Sequence, residues 1–321
     1  MKADFEEIAS VTDNLIAENI KMAEEINVEK ELKFIEKEEI KILLYLDDAY
    51  PGRLKEITDF PPVLFVKGDT SIFSGHCIAV IGTRSPSGYG ESMAKKFSYE
   101  LAQSGVVIVS GMARGIDSIS HQSAIDAGGK TIAVLGSGID KIYPPENKKL
   151  YYKIAERGAV ISEFPIGMPP YPGNFLKRNR IISGLSEGVL VIEAPEKSGV
   201  FSTVNWALMQ GKDVFALPSN ITNERGAGTN KLIKEGAYLV TSVKDILNIL
   251  KIYPEYEKKV KEVKISPEEE KIFSLISFEP VHFDKLLEES GKNMGELSSL
   301  LLSLEVKGLI KQLPGKYYVR F

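Results

Sequence analysis

The sequence predicts an α/β protein: an extended Rossmann-like, doubly wound, mostly parallel sheet, with an N-terminal helical appendage and a C-terminal winged-helix domain. Three observations predict it. From Pro62 onward, short β-branched runs alternate with helical stretches. The runs are apolar almost throughout, as strands covered on both faces are. A charged stretch at 251–264 then sets off a last unit with its own helix starts. The expected division is a helical appendage and lead-in at 1–61, a Rossmann-like domain at 62–250, a linker at 251–264 and a winged helix at 265–321.

In residues 1–40, Phe5, Ile8, Val11, Leu15 and Ile16 recur at helical spacing among many acids, the pattern of an amphipathic helix. The segment's net charge of −7 opposes contact with DNA, and both a docking helix and a solvated surface helix fit it. Strands are expected at 63–66, 77–81, 106–109, 131–135, 159–162, 188–193 and 213–217, with helices between them. One helix, 88–104, gathers Met93, Ala94, Phe97 and Leu101 on one face. In the last unit Ser266 caps a helix that begins Pro267-Glu268-Glu269, a capping-box signature. Helices near 282–289 and 293–307 follow, then a hairpin of 309–313 and 317–320 around Pro314-Gly315.

Composition removes several classes of function. With 43% hydrophobic residues among 321, the chain has ample core material, and no apolar run approaches the roughly 18 residues that span a bilayer. The charged N-terminus lacks a signal-peptide core, so a cytoplasmic location without membrane contact is expected. A single cysteine, Cys77, and three scattered histidines leave little for disulfides or zinc. The overall charge of −4 conceals a basic middle, net +4 over 41–262, where a polyanion would gain from counterion release.

Ligands of doubly wound sheets sit at the carboxyl ends of the strands, and each strand here runs into a loop rich in Gly, Ser, Thr or Arg. The first loop, Gly82 to Gly90, lacks the GxGxxG spacing, so no nucleotide cofactor is implied. Its amides and Arg84 suit a phosphate, and a glycine turn with Arg84 paired to an acid fits as well. The second, Ser110 to Asp117, repeats the formula with Arg114. Asp117 suits a helix cap there, more than an acid–base dyad with His121. Gly136 to Gly138 forms a third. The densest cluster is Asn174, Phe175, Lys177, Arg178, Asn179 and Arg180, whose cations suit a polyphosphate backbone. Its helical spacing pairs Lys177 with Arg180 and turns Arg178 elsewhere. Ser198-Gly199 opens a further helix, where anion binding and simple capping are both open. Trp206 reads as core.

Together, AVIGTRSPSGYG, SGMARGIDSISHQSAIDAGG, PPYPGNFLKRNRIISG and SGVFSTVNWALMQGKDVFALPS, in this order within about 41–250, closely resemble the DprA (Smf) family of DNA-processing proteins. The resemblance implies a dimer that binds single-stranded DNA and loads RecA onto it during natural transformation, with Arg84 and Lys177 to Arg180 in contact with DNA. The loop residues themselves add Gly82, Arg114, Asn174, Ser198 and Gly199 to the expected DNA surface, and no catalytic residue, metal or cofactor is expected. Residues 1–40 show neither the sterile-alpha nor the helix-hairpin-helix module common at family N-termini. The recognition helix, 293–307, offers Glu296, Ser298, Ser299 and Glu305 but no Arg, so protein binding or tuning of DNA access is expected of it rather than sequence reading. The apolar stretch Val243, Ile246, Leu247 and Leu250 is the expected dimer or RecA surface. The rival reading is a nucleotide-binding or nucleoside-monophosphate-hydrolysing enzyme that uses Glu163 or Glu193, although the Ser198–Thr203 loop lacks the Gly-Gly-x-Gly-Thr motif of such proteins.

Overall fold

The computed structural model describes residues 28–253 and 265–320. The amphipathic stretch from Phe5 to Ile16 and most of the expected linker lie outside them. A nine-stranded sheet forms the main domain, in spatial order β1-β2-β6-β5-β4-β3-β7-β8-β9. Its strands are β1 (Ile40–Leu44), β2 (Val63–Gly68), β3 (Cys77–Ile81), β4 (Val107–Ser110), β5 (Thr131–Val134), β6 (Ala159–Ser162), β7 (Gly188–Val191), β8 (Asp213–Ala216) and β9 (Tyr238–Leu239). All pair in parallel except β1 with β2 and β2 with β6. The sequence reading found every strand but the two edges. β1 pairs, among the described residues, with β2 alone and buries only Ile40 and Leu43, which leaves no continuous apolar run, and β9 is two residues long. Residues 40–61, read as lead-in, supply β1 and the short helix α2 (Gly52–Lys55) of this same sheet domain.

The helices α1 (Val28–Lys37), α3 (Gly88–Gln103), α4 (Ile116–Asp126), α5 (Lys148–Arg157), α6 (Pro172–Leu185), α7 (Val200–Met209), α8 (Ala227–Lys234) and α9 (Val243–Ile249) flank the sheet. In β3 to β7 every residue is buried, because helices cover both faces. α3 begins where the Ser87 hydroxyl accepts the Gly90 N–H, and its expected face of Met93, Ala94, Phe97 and Leu101 is buried. Burial of Met93, Phe97 and Leu101 contributes about 1.5–3 kcal/mol of transfer free energy each.

The expectation for α9 is corrected. Val243, Ile246 and Leu247 are buried against α3 and the sheet, with Leu250 packed beside them, so they complete this chain's own core and offer no face to a partner. Seven residues with one polar face, read alone, show an apolar excess that the neighbouring helix has already covered.

The final unit comprises α10 (Pro267–Leu275), β10 (Val281–His282), α11 (Phe283–Ser290), α12 (Met294–Val306), β11 (Ile310–Leu313) and β12 (Tyr317–Arg320), the winged-helix arrangement, with strand order β10-β12-β11. The capping box forms as expected: the Ser266 hydroxyl accepts the Glu269 N–H at 3.2 Å, and the Glu269 carboxylate accepts the Ser266 N–H at 2.5 Å. That carboxylate also accepts from Lys307 Nζ at 2.6 Å and Ser303 Oγ at 2.7 Å, which holds its pKa down to about 2, the Lys307 hydrogen bond being the largest cause. A carboxylate depressed in the fold stabilises it fully above the ordinary value of 4.5 and loses that contribution as pH falls toward 2. Melting curves of wild type and Glu269→Gln should therefore differ at pH 7 and converge only at about pH 2, the folded-state pKa. A constant difference at both pH values would show that the carboxylate's charge contributes nothing.

Candidate nucleic-acid interface

The chain runs β3 to β6 in one direction, returns, and places β7 beside β3, so the topological switch point lies between the carboxyl ends of β3 and β7. A cavity of about 440 Å³ opens there. Its walls come from the loop after β3 (Gly82, Thr83, Arg84), from Ala113 and Asp117, from the first turns of α6 (Phe175, Leu176, Arg178, Asn179) and from the loop after β7 (Pro195, Lys197, Ser198, Gly199). A much smaller crevice beside it is lined by Arg84, Arg114, Tyr143 and Phe175.

Loop backbones meet closely here. The Ile116 N–H donates to Thr83 O, and Gly115 sits at φ +74° with room for no side chain, since a Cβ would come within 2.4 Å of Thr83 O. The first loop is further fixed by Glu193, which is fully buried. Its carboxylate accepts from Ser87 N at 2.8 Å, Ser87 Oγ at 2.6 Å and Asn223 Nδ2 at 3.1 Å. Arg84 thus projects from a braced loop. It is exposed, with its guanidinium 5.9 Å from the Phe175 ring centre, and it forms no ion pair among the described residues.

The cluster on α6 divides. Phe175, Arg178 and Asn179 turn toward the cavity, while Lys177, about 200° around the helix from Phe175, is exposed and lines neither hollow. Asn174 is half-buried, its amide donating to Pro169 O at 3.5 Å. Arg178, expected on DNA, is 4% exposed. Its guanidinium donates to Gly111 O at 2.8 Å, to Val134 O and to Asn179 Oδ1, tying the ends of β4 and β5 to α6. Burial lowers its pKa to about 10, which leaves it charged at neutral pH. Arg180 is likewise 6% exposed. It grips Glu163 with two nitrogens at 2.6 and 2.7 Å and reaches Asp59 at 3.0 Å. Arg178 and Arg180 are therefore buried supports, and the expected surface grip of Lys177 to Arg180 keeps only its first cation exposed. Arg114 is half-exposed and pairs with Glu146, a surface contact that a competing anion can replace at little cost.

Asp117 does not cap α4, whose N-cap is Gly115. Its carboxylate accepts from the N–H groups of Gly111 and Ala113, bracing the second loop instead. His121 is no partner for it. Thr131 Oγ1 gives its proton to Ile108 O, so it accepts at 2.6 Å from His121 Nδ1–H, and burial pushes the imidazole pKa down to about 3. Ser198 Oγ accepts the Val200 N–H at 3.3 Å, and Gly199 is exposed. Lys197 and Thr203 also line the cavity, although neither is among the expected DNA contacts. The first stands beside Ser198-Gly199, in a loop whose Gly-Ser character masked its cation.

The fold and site define a doubly wound α/β protein with a Gly-, Ser- and Arg-lined rim suited to anions at its switch point and a winged helix behind it. A family model for DNA recombination-mediator protein A matches residues 41–251, and one for the DprA winged helix domain matches residues 258–316. The chain is 38% identical over 300 residues to protein Smf of Escherichia coli (strain K12), covering 91% of this chain and 80% of that one. It is 45% identical over 202 residues to DNA processing protein DprA of Bacillus subtilis (strain 168), 63% of this chain and 68% of that one. The crystal structure of DprA from Streptococcus pneumoniae superposes with a TM-score of 0.68 at 38% identity, over 77% of this chain and 87% of that one. DNA processing protein A from Helicobacter pylori, solved for its single-stranded DNA binding mode, gives 0.60 at 33%, over 66% and 95%. The chain belongs to the DprA (Smf) family.

Proposed function

We propose that this protein binds single-stranded DNA along the carboxyl rim of its sheet, without altering it chemically, and presents the strand to RecA during uptake and recombination of DNA. The observation that carries the reading is the exposed Arg84 on a braced glycine loop at the switch point, with Lys197, the Ser198-Gly199 amides and Arg114 around the same opening. Membership of the DprA family, and the strand bound by its Helicobacter pylori member, support it. The carboxylates that a hydrolase would use are engaged elsewhere. Glu163 holds Arg180, and Glu193 holds the first loop.

Gel shifts with matched single-stranded and duplex oligonucleotides test the proposal. Tighter binding of the single strand is expected, with affinity falling as salt rises by about 0.7 in log–log slope for each phosphate held. Equal affinity for both forms would reduce the protein to a general polyanion binder.

A homodimer fits the other edge of the sheet. Among the described residues β9 pairs only with β8, and Tyr238 and Leu239 are 45% and 51% exposed on it, so a second copy of the chain would cover both the open edge and its apolar side chains. Leu239→Lys should halve the mass seen by sedimentation equilibrium while the melting temperature of the monomer stays put. An unchanged mass would move the interface elsewhere.

A further inference from the structure

The hollow between the sheet domain and the winged helix, about 460 Å³, is distinct from the switch-point cavity. One wall is the start of α3 with Tyr89 and Ser92, the next is the loop after β8 with Pro218 and Asn220, and the third is the wing side of the last unit with Phe278, Pro280 and Lys311. Tyr89 and Phe278 are 38% and 43% exposed, an unusual state for two aromatics that line one cleft. Lys96 Nζ lies 4.9 Å from the Phe278 ring centre at the cleft's margin.

The cleft and the DNA rim are a single hydrogen-bonded unit. Asn223 lines the cleft, and its amide donates to Glu193 Oε1, the same carboxylate that holds Ser87 of the Arg84 loop. Arg225, two residues on, donates to Pro86 O at 3.2 Å. The cleft begins at Gly88, on the loop that presents Arg84. A polymer held at Arg84 and leaving toward Arg225 therefore arrives at the cleft mouth.

Chemistry selects what part of that polymer enters. The charged groups of the lining, Glu91 and Glu279 against Lys95, Lys311 and Arg320, are of both signs and do not select by charge. Flat apolar walls of Tyr89, Phe278, Pro218 and Pro280 with scattered amide and hydroxyl groups suit a planar ring. We infer that this cleft takes a nucleobase of the single strand downstream of the rim, stacked against Phe278, with Lys311 at the neighbouring backbone phosphate. The winged helix would then work as a clamp on the strand through its wing, leaving its Arg-free recognition helix unused for DNA. The inference rests on the single-strand reading given above.

The test is a fluorescence-anisotropy titration of the full chain with oligothymidylates of about 4 and about 20 nucleotides, the lower length matching one small binding site. Phe278→Ala should weaken the long oligonucleotide about tenfold and leave the short one unchanged. Lys311→Ala should reduce the salt slope for the long one by about 0.7 and not touch the short one. Both side chains are exposed, so melting curves should match the wild type. Losses that are equal at the two lengths, or no loss at either, overturn the cleft site. If Arg84→Ala leaves the short oligonucleotide's affinity intact, the rim reading itself fails and the route into the cleft fails with it.

Discussion

Arg178→Ala should lower stability by about 3–5 kcal/mol, because it strips the cation from a buried site that still holds the Asp117 carboxylate. For a domain of this size that corresponds to a fall in melting temperature of roughly 10 °C. The reasoning is geometric. The guanidinium fills the space above Gly111 so closely that a Cβ there would lie 2.5 Å from Nη2, and its donors satisfy the carbonyls of Gly111 and Val134 at the ends of two strands. Without it those carbonyls lose partners in a place water reaches poorly, and Asp117, whose carboxyl burial already pushes up, loses the positive charge that offsets part of that push. Adding Asp117→Asn to Arg178→Ala should recover part of the loss, since the amide oxygen still accepts from Gly111 and Ala113 while the unpaired charge is gone. Differential scanning calorimetry of the single and double variants checks this. A single variant that melts like wild type yet loses DNA would instead make Arg178 a direct contact.

That expectation reverses what the sequence suggests for the same residue, and the reason is instructive. In Pro172 to Arg180 no acid is present, so the run reads as a bare cationic patch. The partners that neutralise it, Glu163 and Asp59 for Arg180 and Asp117 for Arg178, come from other segments brought in by folding. Charge pairing across long sequence separation has no local signal. The strands were legible because burial on both faces leaves a run of apolar residues that periodicity detects. The Arg84 loop was legible because glycine spacing at a strand end is itself local. The apolar face of α9 was legible as apolar but not as covered, since its cover, α3, lies more than a hundred residues earlier in the chain. Lys197 and Phe175 acquire meaning only when β3 and β7 become neighbours.

Arg84→Ala combined with Lys197→Ala should abolish most single-strand binding while leaving the fold intact. Both side chains are exposed and neither forms an ion pair among the described residues, so no buried partner is stranded by their loss. On the proposed path each would supply a charge-assisted contact to phosphate worth about 1.5–3 kcal/mol, so an affinity loss of at least about a hundredfold is expected for the pair. The salt slope should fall by about 0.7 for each phosphate contact removed. Lys177→Ala is the internal control: it lies across α6 from the cavity, so its effect on affinity should be small and its slope change well under that of Arg84→Ala. Anisotropy titrations at several salt concentrations, paired with melting curves, decide the matter. If Lys177→Ala weakens binding as much as Arg84→Ala does, the strand runs over the outer face of α6 and not through the switch-point opening, and the path proposed here is wrong.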